Sequence, residues 1–156
     1  MRTLYFDIDG TILVRDSGLA KPALADGRLE GAIRGAGVGK LVCVGNFVRV
    51  IRTVWTINPG YDGLGALFTL CAGTFKDEGW FRETIGLVAD PRLRAAEVEV
   101  NTDWWYMDDE APRYFALAGR TEIFRQEHGK RILQPAPVGE GADVRDWIGR
   151  LAPAGL

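Results

Sequence analysis

The chain has 156 residues, of which 47% are hydrophobic and 26% charged, and its formal net charge is −2. That length suits one domain with a substantial core, and a nearly neutral chain with no long basic run argues against a dedicated nucleic-acid or membrane-surface protein. No apolar segment approaches transmembrane length, and Met1 directly before the first apolar run leaves no room for a signal peptide, so a cytoplasmic protein is expected.

The first element is Leu4-Tyr5-Phe6-Asp7-Ile8-Asp9-Gly10-Thr11. A short apolar run of this kind predicts a buried parallel strand. Side chains two apart point to the same side of a strand. Asp7 and Asp9 are therefore expected to converge at its carboxyl end, where open α/β sheets hold ligands. Two carboxylates held together require either a shared proton or a cation between them, and Mg²⁺ prefers oxygen ligands. Gly10 lets the chain turn sharply out of the strand. After Thr11, a short hairpin is predicted around Asp16-Ser17-Gly18. Asp26 reads as the N-cap of a helix running to about Arg34, closed by Gly35, Gly37 and Gly39.

Leu41-Val42-Cys43-Val44 predicts a second buried strand, ending at Gly45-Asn46, and Phe47 to Trp55 has the apolar spacing of a helix. Asn58 to Gly63 is a loop. Leu64 to Cys71 is apolar without a clear period, so helix and strand both stay open. A helix is predicted from Asp77 to about Val88, with acids in its first turn. Ala95 to Val100 is ambiguous. Trp104 to Met107 predicts an aromatic strand ending in Asp108-Asp109, followed by a helix with Pro112 in its first turn and its end near Ala118. Arg131-Ile132-Leu133 is a short last strand, and Asp143 to Leu151 a closing helix. Strands alternating with helices indicate a parallel α/β sheet, with no linker dividing residues 1–156. Cys43 and Cys71 lie in apolar surroundings and read as reduced core thiols. A single histidine, His128, excludes a His-rich metal cluster.

The stretch Asp7-Ile8-Asp9-Gly10-Thr11 resembles the first motif of the haloacid dehalogenase (HAD) superfamily, apolar residues followed by Asp-x-Asp-Gly-Thr. Asp108-Asp109 at a strand end far downstream resembles the fourth motif of that family, and the two matches together are more specific than either alone. The resemblance implies a Rossmann-like three-layer α/β fold in which the strands ending at Asp7 and Asp108 are neighbours. It implies a Mg²⁺-dependent phosphohydrolase working through an aspartyl-phosphate. Asp7 would be the nucleophile and Asp9 the general acid and then base. The metal ligands would be Asp7, the Asp9 main-chain carbonyl, Asp108 and Asp109. Thr11 would order the turn and position Asp9, and backbone N–H groups from Ile8 through Gly10 to Thr11 would receive phosphate oxygens. The family's third motif is a cation near the phosphate. Lys76 is the candidate, with Arg82, Arg92 and Arg94 as competitors.

One position departs from the family pattern. Where its second motif has Ser or Thr, this chain has Gly45, followed by Asn46. Glycine offers only its N–H, and the Asn46 amide is the substitute donor. That departure motivates a second reading, a phosphate- or partner-binding protein of the same fold with weak or no catalysis. The segments between the motifs hold no separate cap domain. By resemblance, a capless protein acts on large or exposed phosphorylated substrates or closes its site with a neighbouring subunit in a homo-oligomer. The stretch from Pro59 to Trp80 is a candidate for partial cover.

Overall fold

A computed structural model describes residues 1–16, 19–22, 24, 27–87, 91–135 and 150–151. The protein is α/β, built on a five-stranded, all-parallel sheet of order β5-β4-β1-β6-β7. The strands are β1 (Arg2–Phe6), β4 (Val38–Cys43), β5 (Ile85–Leu87), β6 (Asp103–Met107) and β7 (Ile132–Leu133). The strands β2 (Leu13–Asp16) and β3 (Leu19–Pro22) pair antiparallel as a separate hairpin. The helices are α1 (Arg28–Gly35), α2 (Asn46–Ile57), α3 (Gly63–Leu70), α4 (Glu78–Thr84), α5 (Ala111–Leu117) and α6 (Thr121–Glu127), with a 3₁₀ helix over Pro91–Glu97. Among the described residues, no helix is long and apolar enough to cross a membrane.

Apolar runs without alternation become central strands because both faces of this sheet are covered. Leu4, Phe6, Leu41, Cys43 and Met107 pack on one face, with Leu29 and Ile33 of α1, Val48 and Ile51 of α2, Leu67 of α3 and Phe81 of α4. Tyr5, Val42, Trp104, Tyr106 and Ile132 pack on the other, with Ala95 of the 3₁₀ helix and Ala111, Tyr114 and Phe115 of α5. This is the three-layer, Rossmann-like arrangement expected for alternating strands and helices. Asp62 and Asp77 cap α3 and α4 by accepting from the N–H groups of Gly65 and Trp80. Cys43 and Cys71 are buried free thiols.

Several boundaries differ from the sequence expectation. The helix expected to reach Val88 stops at Thr84, and Ile85–Leu87 form an edge strand in register with Leu41–Cys43. Pairing with a formed neighbour overrides a helical pattern at its weakest point, a β-branched residue followed by glycine. Leu64 to Cys71, open between helix and strand, is α3. The ambiguous segment before β6 is largely the 3₁₀ helix. The helix α6 was not expected. It buries no residue, so it has no apolar stripe to betray it. Gly27, left-handed at φ 69°, occupies the N-cap position of α1. Asp26 lies outside the described residues, as do residues 143–149 of the expected closing helix. The stretch from Pro59 to Trp80 contributes Leu67, Cys71 and Phe75 to the core.

Candidate active site

Three strand ends meet at one edge of the sheet. Phe6 is in register with Cys43 on one side and Met107 on the other, so Asp7, Val44 and Asp108 begin the exits of β1, β4 and β6 at one level. The backbone continues this alignment: Asp7 N–H donates to Met107 O at 2.9 Å and Val44 N–H to Phe6 O at 2.8 Å. A cavity of about 450 Å³ opens there. Asp7, Asp9 and Gly10 line it from the β1 exit, Asn46 and Phe47 from the start of α2, Asp109 and Glu110 from the β6 exit, and Arg94 from the 3₁₀ helix.

Asp7, Asp108 and Asp109 each present a carboxylate oxygen, and these three atoms lie within 4.8 Å of one another. Asp7 and Asp108 are buried and Asp109 half-buried. Oxygens on opposite sides of a Mg²⁺ ion lie about 4.2 Å apart, twice the metal–oxygen distance, so the spacing and the hard oxygen donors fit a divalent cation. The Asp9 carboxylate is not in the trio; it lines the same cavity. Electrostatics give the same picture. Burial pushes the Asp7 carboxyl up to about 9, Asp108 and Asp109 add to the rise, and Arg94 opposes it. Burial also raises Asp108, against the pull of Arg94, the Glu110 N–H and the Tyr106 hydroxyl. Carboxyls held this way keep a proton unless a cation replaces it.

The two acids at the end of β6 have different partners. Asp108 Oδ2 accepts from the Tyr106 hydroxyl at 2.9 Å and from Arg94 at 3.1 Å, and its Oδ1 accepts from the Glu110 N–H at 2.9 Å. Asp109 is held by Thr11. The Thr11 hydroxyl donates to Asp109 Oδ1 at 3.3 Å and accepts from the Asp109 N–H at 3.2 Å. Thr11 thus orients Asp109.

Glycines at two positions make room for these carboxylates. Gly10 has φ +74°, and a Cβ there would meet Asp109 Oδ2 at 2.5 Å. Gly45 has φ +150°, and a Cβ there would lie 2.6 Å from Asp7 Oδ1. At both positions a side chain would be strained by the positive φ and would displace the carboxylate. The absence of Ser or Thr at position 45 therefore has a local cause: the β4 exit passes directly against the Asp7 carboxylate. Exposed Asn46 begins α2 and lines the cavity.

The expected backbone cradle is partly spoken for. Gly10 N–H donates to Leu13 O and Thr11 N–H to Ile8 O. Ile8 itself is a core side chain. Lys76 is exposed and does not line the cavity; its N–H donates to Glu30 Oε1 at 3.1 Å. The cation at the carboxylates is Arg94, 3% exposed, with a nitrogen 3.4 Å from Asp7 Oδ1. In sequence Arg94 was one of three competing arginines. Folding of residues 91–97 against α5 brings Arg94 to the site, whereas Arg82 is paired with exposed Asp62. No protein-family model matches the chain, and no curated protein or solved structure matches it.

Proposed function

We propose that the protein is a HAD-type, Mg²⁺-dependent phosphohydrolase of the capless kind, acting on a phosphate ester through an aspartyl-phosphate. The observation that carries this reading is the convergence of Asp7, Asp108 and Asp109 at the ends of two adjacent parallel strands. The Asp-x-Asp-Gly-Thr run and the buried arginine support it. Held by Asp7, Asp109 and the remaining lone pair of Asp108 Oδ1, with the Asp9 carbonyl as a further candidate, Mg²⁺ would keep Asp7 ionised and screen it from an incoming phosphate.

In this reading an Asp7 oxygen attacks phosphorus as the ester P–O bond breaks, and Asp9 delivers a proton to the departing oxygen. Asp9 then takes a proton from the water that attacks the aspartyl-phosphate and releases phosphate. Arg94 faces the transferring oxygens with its fixed charge. The Asn46 side chain and the α2 N-terminus are the donors available on the β4 side. Thr11 and Gly10 act through Asp109. The capless reading implies a large or exposed phosphorylated substrate.

The test is turnover of a panel of small and macromolecular phosphate esters by the full chain, with Mg²⁺ and with EDTA. Release of phosphate that needs Mg²⁺ and disappears in Asp7→Asn supports the reading. Turnover that survives Asp7→Asn overturns it. One observation favours a second reading, binding of a phosphorylated partner without turnover: Gly45 leaves the β4 side with no hydroxyl donor. Mg²⁺-dependent binding of beryllofluoride by a chain that hydrolyses no ester would select it.

A further inference from the structure

Arg94 is a long, charged side chain that the fold buries on a 3₁₀ helix, away from any strand. A guanidinium on such a segment has several carboxylates within reach and much rotamer freedom to lose. Its surroundings remove that freedom from two directions. The guanidinium carbon lies 3.7 Å from the centroid of the Tyr114 ring. One nitrogen lies 3.1 Å from Asp108 Oδ2 and 3.4 Å from Asp7 Oδ1. The same Asp108 Oδ2 also accepts from the Tyr106 hydroxyl at 2.9 Å. Tyr106 is fully buried and Tyr114 nearly so.

We propose that Tyr106 and Tyr114 are positioning residues that hold Arg94 as a preset positive charge facing Asp7, ready for a phosphoryl group; the last clause rests on the phosphohydrolase reading. Tyr106 fixes the Asp108 carboxylate. Oδ1 is held by the Glu110 N–H, and without the Tyr106 hydroxyl Oδ2 loses the second donor that fixes it opposite Arg94, so the anchor that aims Arg94 loosens. Tyr114 is the floor. A flat aromatic face sets the plane of a desolvated guanidinium, and only its ring, not its hydroxyl, is needed. Preorganisation spares the reorganisation otherwise needed at each encounter.

The experiment uses the full chain without metal or substrate, labelled with ¹⁵N-arginine. The Arg94 side-chain N–H signals are identified by their loss in Arg94→Lys. Wild type and Tyr114→Phe should both show slowly exchanging Arg94 protons. Tyr106→Phe and Tyr114→Leu, checked for intact fold by circular dichroism, should show fast exchange. Recovery by Phe at position 114 separates positioning from general packing, and Tyr114→Leu keeps the test alive if Tyr106→Phe fails to fold. Arg94 protons that exchange as slowly in Tyr114→Leu as in wild type, or already rapidly in wild type, would overturn the proposal. With Mg²⁺ present, orthophosphate should bind Tyr114→Leu roughly 10-fold more weakly than wild type, the scale of a desolvated cation–π contact, and Tyr114→Phe equally well. A chain that hydrolyses no ester but shows this exchange pattern would refute the phosphohydrolase reading and leave the positioning of Arg94 standing.

Discussion

The ends of β1 and β6 are adjacent, parallel and both acidic, yet they use their acids differently. At β1 the two aspartates are separated by one residue, and Asp7 and Asp9 both line the cavity while Ile8 between them enters the core. At β6 the two are consecutive, and they part. Asp108 turns to Tyr106 and Arg94; Asp109 turns to Thr11 and the cavity. Both pairs lie where the chain has left its strand and begun to turn, so the neighbours each acid meets decide its direction. Despite their different partners, the consecutive acids Asp108 and Asp109 each bring a carboxylate oxygen within 4.8 Å of Asp7, whereas Asp9, two residues from Asp7, lines the cavity outside that trio. In the proposed chemistry the β1 end supplies the reactive candidates, and the β6 end supplies two acids to the carboxylate trio, one of them also held by Arg94.

The sharpest way to break this comparison is at Asp7. Asp7→Asn should lower turnover of any accepted ester on the order of 10⁴-fold or more, as removal of a nucleophile does, while the melting temperature in EDTA at pH 8 stays at or above wild type. A steady-state assay and a thermal melt check it. Next comes the division of labour at β6. Asp109→Asn should weaken Mg²⁺ binding by roughly 100-fold, and Thr11→Val, which removes the hydroxyl that holds both the Asp109 carboxylate and its N–H, by roughly 10-fold. Calorimetric titration that finds Thr11→Val equal to wild type would remove Thr11 from the site.

A smaller effect is expected on the β4 side. Gly45→Ser would place an atom 2.6 Å from Asp7 Oδ1 at φ +150°. It should destabilise the protein by about 1–3 kcal/mol and lower, rather than restore, activity. A urea denaturation curve reads the first, and a gain in kcat would contradict the steric account. The mildest effect is in pH. The Asp7 pKa is raised from 3.8 to about 9, so between these values the folded chain holds a proton that the unfolded chain has lost. Metal-free stability should therefore fall as pH rises from 5.5 to 8. Mg²⁺ should raise the melting temperature more at pH 8 than at pH 5.5. Equal shifts at both pH values would mean that no proton is displaced.

Local rules sufficed for the α/β class, the central strands and the identity of the acidic residues. An apolar run bounded by Gly and Asp has few alternatives, and strand alternation is set by backbone geometry. The residues Asp7, Asp108 and Asp109 could be singled out because each sits where such a run stops. Tertiary structure decided the rest. The strand Ile85–Leu87 exists because β4 offers it a partner. Arg94 rather than Lys76 meets the carboxylates because the 3₁₀ helix packs on α5, and no local pattern distinguishes one basic residue from another. Thr11 pairs with Asp109, 98 positions away, and Gly45 is required by a carboxylate on the neighbouring strand. Hydrogen bonds, ion pairs and steric exclusion act over a few ångströms in space, so their partners are named only when distant segments have been brought together.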